Sequence, residues 1–577
     1  MPFQISPGVA VVEKDLTNVV PAVSSSKGGF AGCFQWGPVL DPVNISSENI
    51  LVQRFGKPND EAAVFRSFYT AANFLGYTSS LLTIRIDTAN SLNATADGSG
   101  LKIKNQDQYT TQYEDGQATV GAWAAKYPGT LGNSIGVAVA DSATFSTWNI
   151  AGGYTYDFDV NFDSAPGTSN YAEARGASND EVHVIVFDTL GFWTGTKGGI
   201  LEVYAGLSKA NDAKKGDGAN NYYKTAISNS SKYVYWMDHP VAGGAGVADW
   251  GALAQDPSTG VGADFKVLSE ATEDWLAGGA DDFEPTDGNY IEGFGLLSNA
   301  ELYDVSLIPV GAVSTAVANS VIEDVVHNRL DCVAFISPWD DGSPIVGVGS
   351  DYADMCVTYR NSVTSTSYAV MDSGWKYQYD RYNDKYRWVT LNGDTAGLCA
   401  RTDYTNDPWF SPGGYTRGQV KNVVKLGFNP GKAERDTLYK NGINPIVSFP
   451  GQGTILYGDK TLQAKPSAFD RINVRRLFIV LEKAISTAAK YQLFEFNDSF
   501  TRAQFRNIVE PFLRDVKGRR GVYDYLVKCD ETNNTGEVID ANQFVADIYI
   551  KPARSINFIT LNFVAVRSGV AFSEIGG

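Results

Sequence analysis

The chain has 577 residues and 62.4 kDa, room for about three or four domains at roughly 100 to 200 residues each, which excludes a peptide or a disulfide scaffold. Hydrophobic residues make up 43%, charged residues 19% and aromatics 12%, with 58 glycines, a balance that suits a globular chain rich in strands and turns. With 47 Lys and Arg against 65 Asp and Glu, the net charge of −18 repels nucleic acid and anionic lipid, so no direct nucleic-acid contact is expected.

Residues Met1 to Asp15 lack a basic stretch and a long apolar stretch. No run approaches the roughly 18 apolar residues of a spanning helix, so a soluble chain without membrane insertion or a classical export signal is expected. Val9, Val11 and Val12 lie in an extended arm, residues 1–23, with no hairpin partner nearby. The composition of Ser24, Ser25, Ser26, Lys27, Gly28 and Gly29 predicts a flexible hinge. An α/β unit follows, with a strand near Phe30–Trp36, helices near Ser47–Phe55 and Glu61–Leu75, and the β-branched run Leu81 to Ile86.

That unit is about half a domain. Its other half lies downstream, where Ser306 to Val310 reads as a strand, Thr315 to His327 as a helix and Cys332 to Ile336 as a second strand. The intervening stretch, 88–289, reads as an acidic, β-rich insertion on the outside, with a strand at Val182–Phe187 and a helical piece at Gly199–Leu207. From 429 onward the pattern turns regular: Ser467 to Asp470 reads as a capping box opening one helix, and Thr501 to Gln504 as another. Three strand-like runs follow, Val522–Lys528, Phe544–Ile550 and Ile556–Val566.

The fold class is therefore α/β (α+β) and multi-domain. An arm, 1–23, joins the C-terminal domain; a middle α/β domain comprises 24–87 and 290–428; a β-rich outer domain is inserted at 88–289; a two-layer α/β assembly domain spans 429–577. Residues 460–577 carry 17 Lys and Arg against 13 Asp and Glu, while the rest carries 30 against 52, so the C-terminal fifth is chemically a different surface.

Chemical motifs come only as near misses. Gly132-Asn133-Ser134-Ile135-Gly136 fits a nucleophile pattern, but a strand follows where an elbow needs a helix. Gly347-x-Gly349 meets Tyr352 where the third glycine belongs, and Gly427 to Lys432 is one residue short of a phosphate loop and continues with Ala433. No cysteine pair has C-x-x-C spacing, and the acidic run Asp281 to Gly288 has its glycine misplaced for a calcium loop. The aromatic run Trp375 to Tyr382 reads as a strand with one aromatic face. Cys33, Cys332, Cys356, Cys399 and Cys529 read as reduced and buried. No catalytic residue, metal or cofactor is expected.

The motifs Ser6-Pro7-Gly8-Val9, Phe34-Gln35-Trp36-Gly37-Pro38, Tyr127-Pro128-Gly129-Thr130-Leu131-Gly132, Gly397 to Asp403, Phe469 to Phe478 and Tyr549 to Phe563 occur in an order that resembles the tail sheath proteins of contractile-tailed bacteriophages, most closely the T-even type. The resemblance implies a non-enzymatic subunit that stacks as hexameric discs around a tail tube and contracts to drive the tube through the host envelope. It also implies the tube, baseplate and tail terminator proteins as partners, a place in the virion, and assembly in the host cytoplasm. One departure matters: the T-even subunit carries an outermost domain before the Tyr-Pro-Gly turn, and residues 87–126 are too few to hold it.

Unpaired strands at the chain ends suggest strand lending between copies, through Val9, Val11, Val12, Phe544, Ala546, Ile548, Ile550, Ile556 and Phe558. The basic residues Arg514, Lys517, Arg519 and Arg520 are expected to face an acidic tube. A sheath of a non-phage injection device and a glycan-binding tail protein are the alternative readings.

Overall fold

A computed structural model describes residues 24–148, 157–240, 249–340, 342–557 and 560. Its centre is a seven-stranded sheet that brings together chain from both sides of the long insertion. Strand Gly28–Gly32 runs parallel to Leu81–Arg85 on one side and Leu307–Pro309 on the other. Val333–Ile336, Ala369–Asp372 and Ile443–Asn444 continue the parallel run, and Val43–Ile45 closes the opposite edge antiparallel. These strands are apolar because helices cover both faces. Ala62–Leu75 packs beside Asn392–Thr405, and Gly393 permits the contact, since an added Cβ there would lie 2.5 Å from the Thr70 carbonyl oxygen.

Two expectations change here. Strand Ile443–Asn444 completes the sheet edge and helix Lys432–Lys440 packs on helix Ser350–Asn361, so this body continues past residue 428, and the boundary expected at 428/429 falls inside it. Gly28 and Gly29 are not hinge residues but fully buried strand residues. An added Cβ at Gly28 would sit 2.5 Å from the Phe74 ring, and one at Gly29 would sit 2.9 Å from Leu297. These glycines serve close packing.

The insertion forms a four-stranded antiparallel sheet ordered Gly199–Ser208, Glu181–Asp188, Ile135–Ala140, Thr272–Trp275. The piece expected to be helical is thus the edge strand Gly199–Ser208. Its Ile200, Val203 and Tyr204 pair with Phe187, Ile185 and Val184, and this cross-strand pairing overrides a local pattern that also suited a helix. Lys209 is buried against Asp141 at 3.0 Å and also donates to the Asn179 and Lys266 carbonyls, so its charge is paired and hydrogen-bonded.

One buried arginine ties insertion to host. Arg85 donates to the Gly37 carbonyl at 3.1 Å and to the Pro128 carbonyl at 2.8 Å, joining the Phe34 to Pro38 motif to the Tyr127 to Gly129 turn. Trp36 packs edge-on against Tyr127 and Trp193. The acidic run adds staples: Asp281 accepts from the Thr130 backbone N–H, and Asp282 accepts from that of Asn90. Ser134 Oγ donates to Asp188 Oδ1 at 2.6 Å and accepts from the Leu190 N–H, which makes it a loop staple.

The C-terminal body sets helices Ile472–Ala489 and Ser499–Gly518 over the hairpin of Val522–Lys528 and Asp547–Pro552. Both capping expectations shift. Ser467 caps a short 3-10 turn, Ala468–Asp470, and the long helix starts after extended Arg471. The second helix starts earlier than Thr501, because Asp498 is the cap and accepts from the Thr501 N–H at 2.8 Å. All five cysteines are free and buried, and burial pushes the thiols of Cys33, Cys332, Cys356 and Cys399 up to about 12.

Candidate functional site: the roots of the chain ends

The arm residues Val9, Val11, Val12 and Phe558 lie outside the described residues. The points where the chain ends join the folded body are described, and both are held firmly.

The N-terminal root is Ser24–Ser26. Ser25 Oγ donates to Asp403 Oδ2 at 2.7 Å, while the Ser25 carbonyl accepts from Arg476 Nη2 at 3.3 Å. Arg476 and Asp403 form an ion pair at 2.6 Å with side chains only 3% and 7% exposed, and Arg476 also donates to the Cys399 carbonyl. Burial by itself lowers the Arg476 pKa, but the Asp403 carboxylate more than offsets this and the net direction is up. The Ser24 carbonyl accepts from Ser306 Oγ at 3.1 Å, and Ser26 Oγ reaches Tyr404 at 3.4 Å. The expected hinge at Ser24, Ser25 and Ser26 is therefore a clasped segment: each serine offers groups that a nearby side chain or backbone satisfies.

The C-terminal root is Ala553–Asn557. The Ala553 N–H donates to the Gly521 carbonyl at 3.1 Å, and Asn473 Nδ2 donates to the Ala553 carbonyl at 3.3 Å. Ser555 Oγ donates to Asp459 Oδ2 at 2.5 Å, and Asp459 is itself paired with Arg471 at 2.9 Å. The Asn557 amide meets Tyr439 Oη at 3.2 Å. Asn473 and Arg476, three residues apart on helix Ile472–Ala489, share one face and hold the two roots.

Beside them lies the hairpin. Tyr525 and Val527 pair with Ile550 and Ile548 in a sheet of only two strands among the described residues, so each strand keeps one edge of unpaired backbone groups. Ile548 and Ile550 are thus paired within their own chain. Phe544 and Ala546 also pack in its core, Phe544 edge-on to Phe505 at 5.5 Å. This corrects the expectation that these four are lent to a neighbour: their apolar faces are already covered by the helices above. Ile556 is exposed.

Arg514, Lys517, Arg519 and Arg520 are exposed at the end of helix Ser499–Gly518. Lys517 pairs with Asp524 at 2.9 Å and Arg519 with Asp407 at 2.8 Å. Arg502, in contrast, is buried and donates to Asn497 Oδ1. A feature that sequence reasoning passed over is the turn between the two helices and the start of the second, where Tyr491, Leu493, Phe494, Phe496 and Phe500 are all well exposed. The density of aromatics outside any helical period was its available signal.

Among the described residues no helix is long and apolar enough to cross a membrane, and no three metal-ligating side chains gather. Fold and roots together define a multi-body α/β chain whose two described ends are anchored on one helix. Residues 286–462 match the phage tail sheath protein central domain, and residues 464–565 match the phage tail sheath C-terminal domain. The tail sheath protein of Vibrio phage KVP40 is 33% identical over 683 aligned positions that cover 99% of this chain and 100% of the relative. That of Enterobacteria phage T4 is 33% identical over 661 positions, 99% of each chain. A sheath tail protein from Listeria innocua shares the fold, with a TM-score of 0.52 at 11% identity over 92% of this chain and 96% of its own.

The chain belongs to the phage tail sheath protein family. The KVP40 alignment is longer than the 577-residue chain, so at least 106 of its positions are gaps here.

Proposed function

We propose that the chain is the structural subunit of a contractile tail sheath in the virion, that it stacks as hexameric discs around a tail tube, and that contraction drives the tube through the host envelope. Its partners on this reading are further copies of itself, the tube protein, and baseplate and terminator proteins, met during assembly in the host cytoplasm. The observation that carries the reading is the convergence of two clasped chain roots on one helix beside a hairpin with two open edges. A guest strand around Val9–Val12 and another from the Ile556–Val566 run would satisfy those edges in neighbouring copies. A contact of that kind is head-to-tail and propagates into a tubular lattice.

The bodies that move are 24–87 with 290–462, the insertion 88–289, and 463–577 with its guest strands. Arg514, Lys517, Arg519 and Arg520 face the acidic tube through weak, salt-sensitive pairs suited to a contact that is released. Energy resides in assembly, with the extended lattice kinetically trapped above the contracted one.

Deletion of residues 1–23 tests this. Negative-stain images of the full chain should show tubes or rings and the truncated chain only monomers of unchanged circular dichroism. Tubes formed by the truncated chain would refute strand lending.

A further inference from the structure

The middle sheet reverses its winding between Gly28–Gly32 and Leu307–Pro309: the first leads outward to Leu81–Arg85, the second the other way to Val333–Ile336 and Ala369–Asp372. At such a point the loops after two neighbouring strands part, which leaves a crevice beyond their carboxyl ends. A cavity of about 490 Å³ is found here. Gly311 follows one strand and Trp339 another, Arg66 comes from the first turns of helix Ala62–Leu75, and Phe283 and Tyr290 come from the chain returning out of the insertion. The volume falls in the range of small-molecule sites.

Arg66 makes this cavity more than a packing gap. Its guanidinium lies 5.1 Å from the Trp339 ring and 5.3 Å from the Trp375 ring. Its one hydrogen bond among the described residues is a long one, Nη1 to the Gly342 carbonyl at 3.4 Å, and Nε is buried without a partner. Arg85 by contrast spends its donors on two carbonyls, Arg329 on Asp331 and the Leu297 carbonyl, and Arg476 on Asp403, whereas Arg360 and Arg475 also keep a buried Nε without a partner but do not line this cavity. Asp287 also lines the cavity, its Oδ2 accepting from Ser314 Oγ at 2.8 Å, and beside it Arg66, a cation with donors left over against aromatic walls, is a half-built anion site.

We propose that this cavity binds a small planar organic anion, an aromatic carboxylate or phosphate monoester, with Arg66 holding the anionic group and Phe30, Phe283, Tyr290 and Trp339 enclosing the ring. Because Phe283 and Tyr290 belong to the returning chain and Phe30 and Trp339 to the sheet, the ligand would brace the insertion against its host.

The test uses the purified full chain and the 19F resonance of 4-fluorobenzoate. The line should broaden on adding protein and sharpen again with excess benzoate or phenyl phosphate, but not with benzyl alcohol. Arg66→Met should weaken binding by about tenfold or more, the loss of one hydrogen bond to a charged group. Ala63→Phe, which fills the cavity and leaves Arg66 in place, should abolish it and keeps the test decisive should Arg66→Met unfold the chain. No broadening in the parent, or equal broadening in parent and Ala63→Phe, overturns the site. Inorganic phosphate competing as well as phenyl phosphate overturns the aromatic assignment.

Discussion

Replacing Arg476 by Met would remove the guanidinium while keeping an apolar stem, and would leave Asp403 charged and buried at 7% exposure. Breaking a buried pair from one side costs about 3 to 5 kcal/mol in global stability. The local effect is more diagnostic. The N-terminal root loses its bond from Arg476 to the Ser25 carbonyl and keeps only the one from Ser25 Oγ to Asp403. One bond to a charged group is worth about 1.5 to 3 kcal/mol, so the root should open roughly 10- to 150-fold more often. Lys27 sits just beyond it, its carbonyl engaged by the Ser306 and Leu307 N–H groups, and trypsin cutting there releases a fragment ending at Lys27. The release rate, followed by mass spectrometry, should rise by that factor in Arg476→Met. In Arg476→Met with Asp403→Leu the global stability should recover, because no charge is stranded, while the release rate stays raised, because both side chains that hold Ser25 are gone. A rate within about threefold of the parent's, under about 0.7 kcal/mol, would refute the clasp.

Two further outcomes follow from the sheet. Gly28→Ala should lower the thermal midpoint, because its Cβ would meet the Phe74 ring at 2.5 Å and overpacking costs about 1 to 3 kcal/mol; a neutral or stabilised variant would restore the flexible-hinge reading. Burial pushes the Asp372 carboxyl up to about 8, against about 3.9 when unfolded, so the folded state binds the extra proton. Stability should therefore fall as pH climbs from about 4 to about 8 and then level off, with Asp372 contributing no more than about 6 kcal/mol to the fall. Asp372→Asn, measured by thermal melts, should gain on the parent steadily across that window, and parallel curves would remove Asp372 as the cause.

Long-range pairing was legible where composition forced it. The β-branched runs at 81–86 and 332–336 suit only buried strands, and a half-domain ending at residue 87 demanded a partner downstream, which the pairing of Gly28 with Leu307 supplies. Local punctuation was less legible. Ser467 and Thr501 carry the side chains of capping boxes, yet the chain turns at Arg471 and Asp498, because tertiary contacts such as the Ile472 N–H to the Asp459 carbonyl set the first helical turn. The serine and glycine run at 24–29 has the composition of a linker and the structure of a clasp followed by a strand; composition reports what a segment permits, and Arg476, far off in sequence, decides what it does. The unsatisfied guanidinium of Arg66 had no signature at all, since it depends on which carbonyls and rings the fold brings near.

The two roots sit on Asn473 and Arg476, less than one helical turn apart, about 4.5 Å along the axis. Tension arriving through one tether has a short route to the other across that span, beside the covalent route from Lys27 into strand Gly28–Gly32. If the two ends are lent to neighbours as proposed, a subunit wired in this way would act as a link in chain mail, with a load path between its neighbours that is short beside the molecule itself.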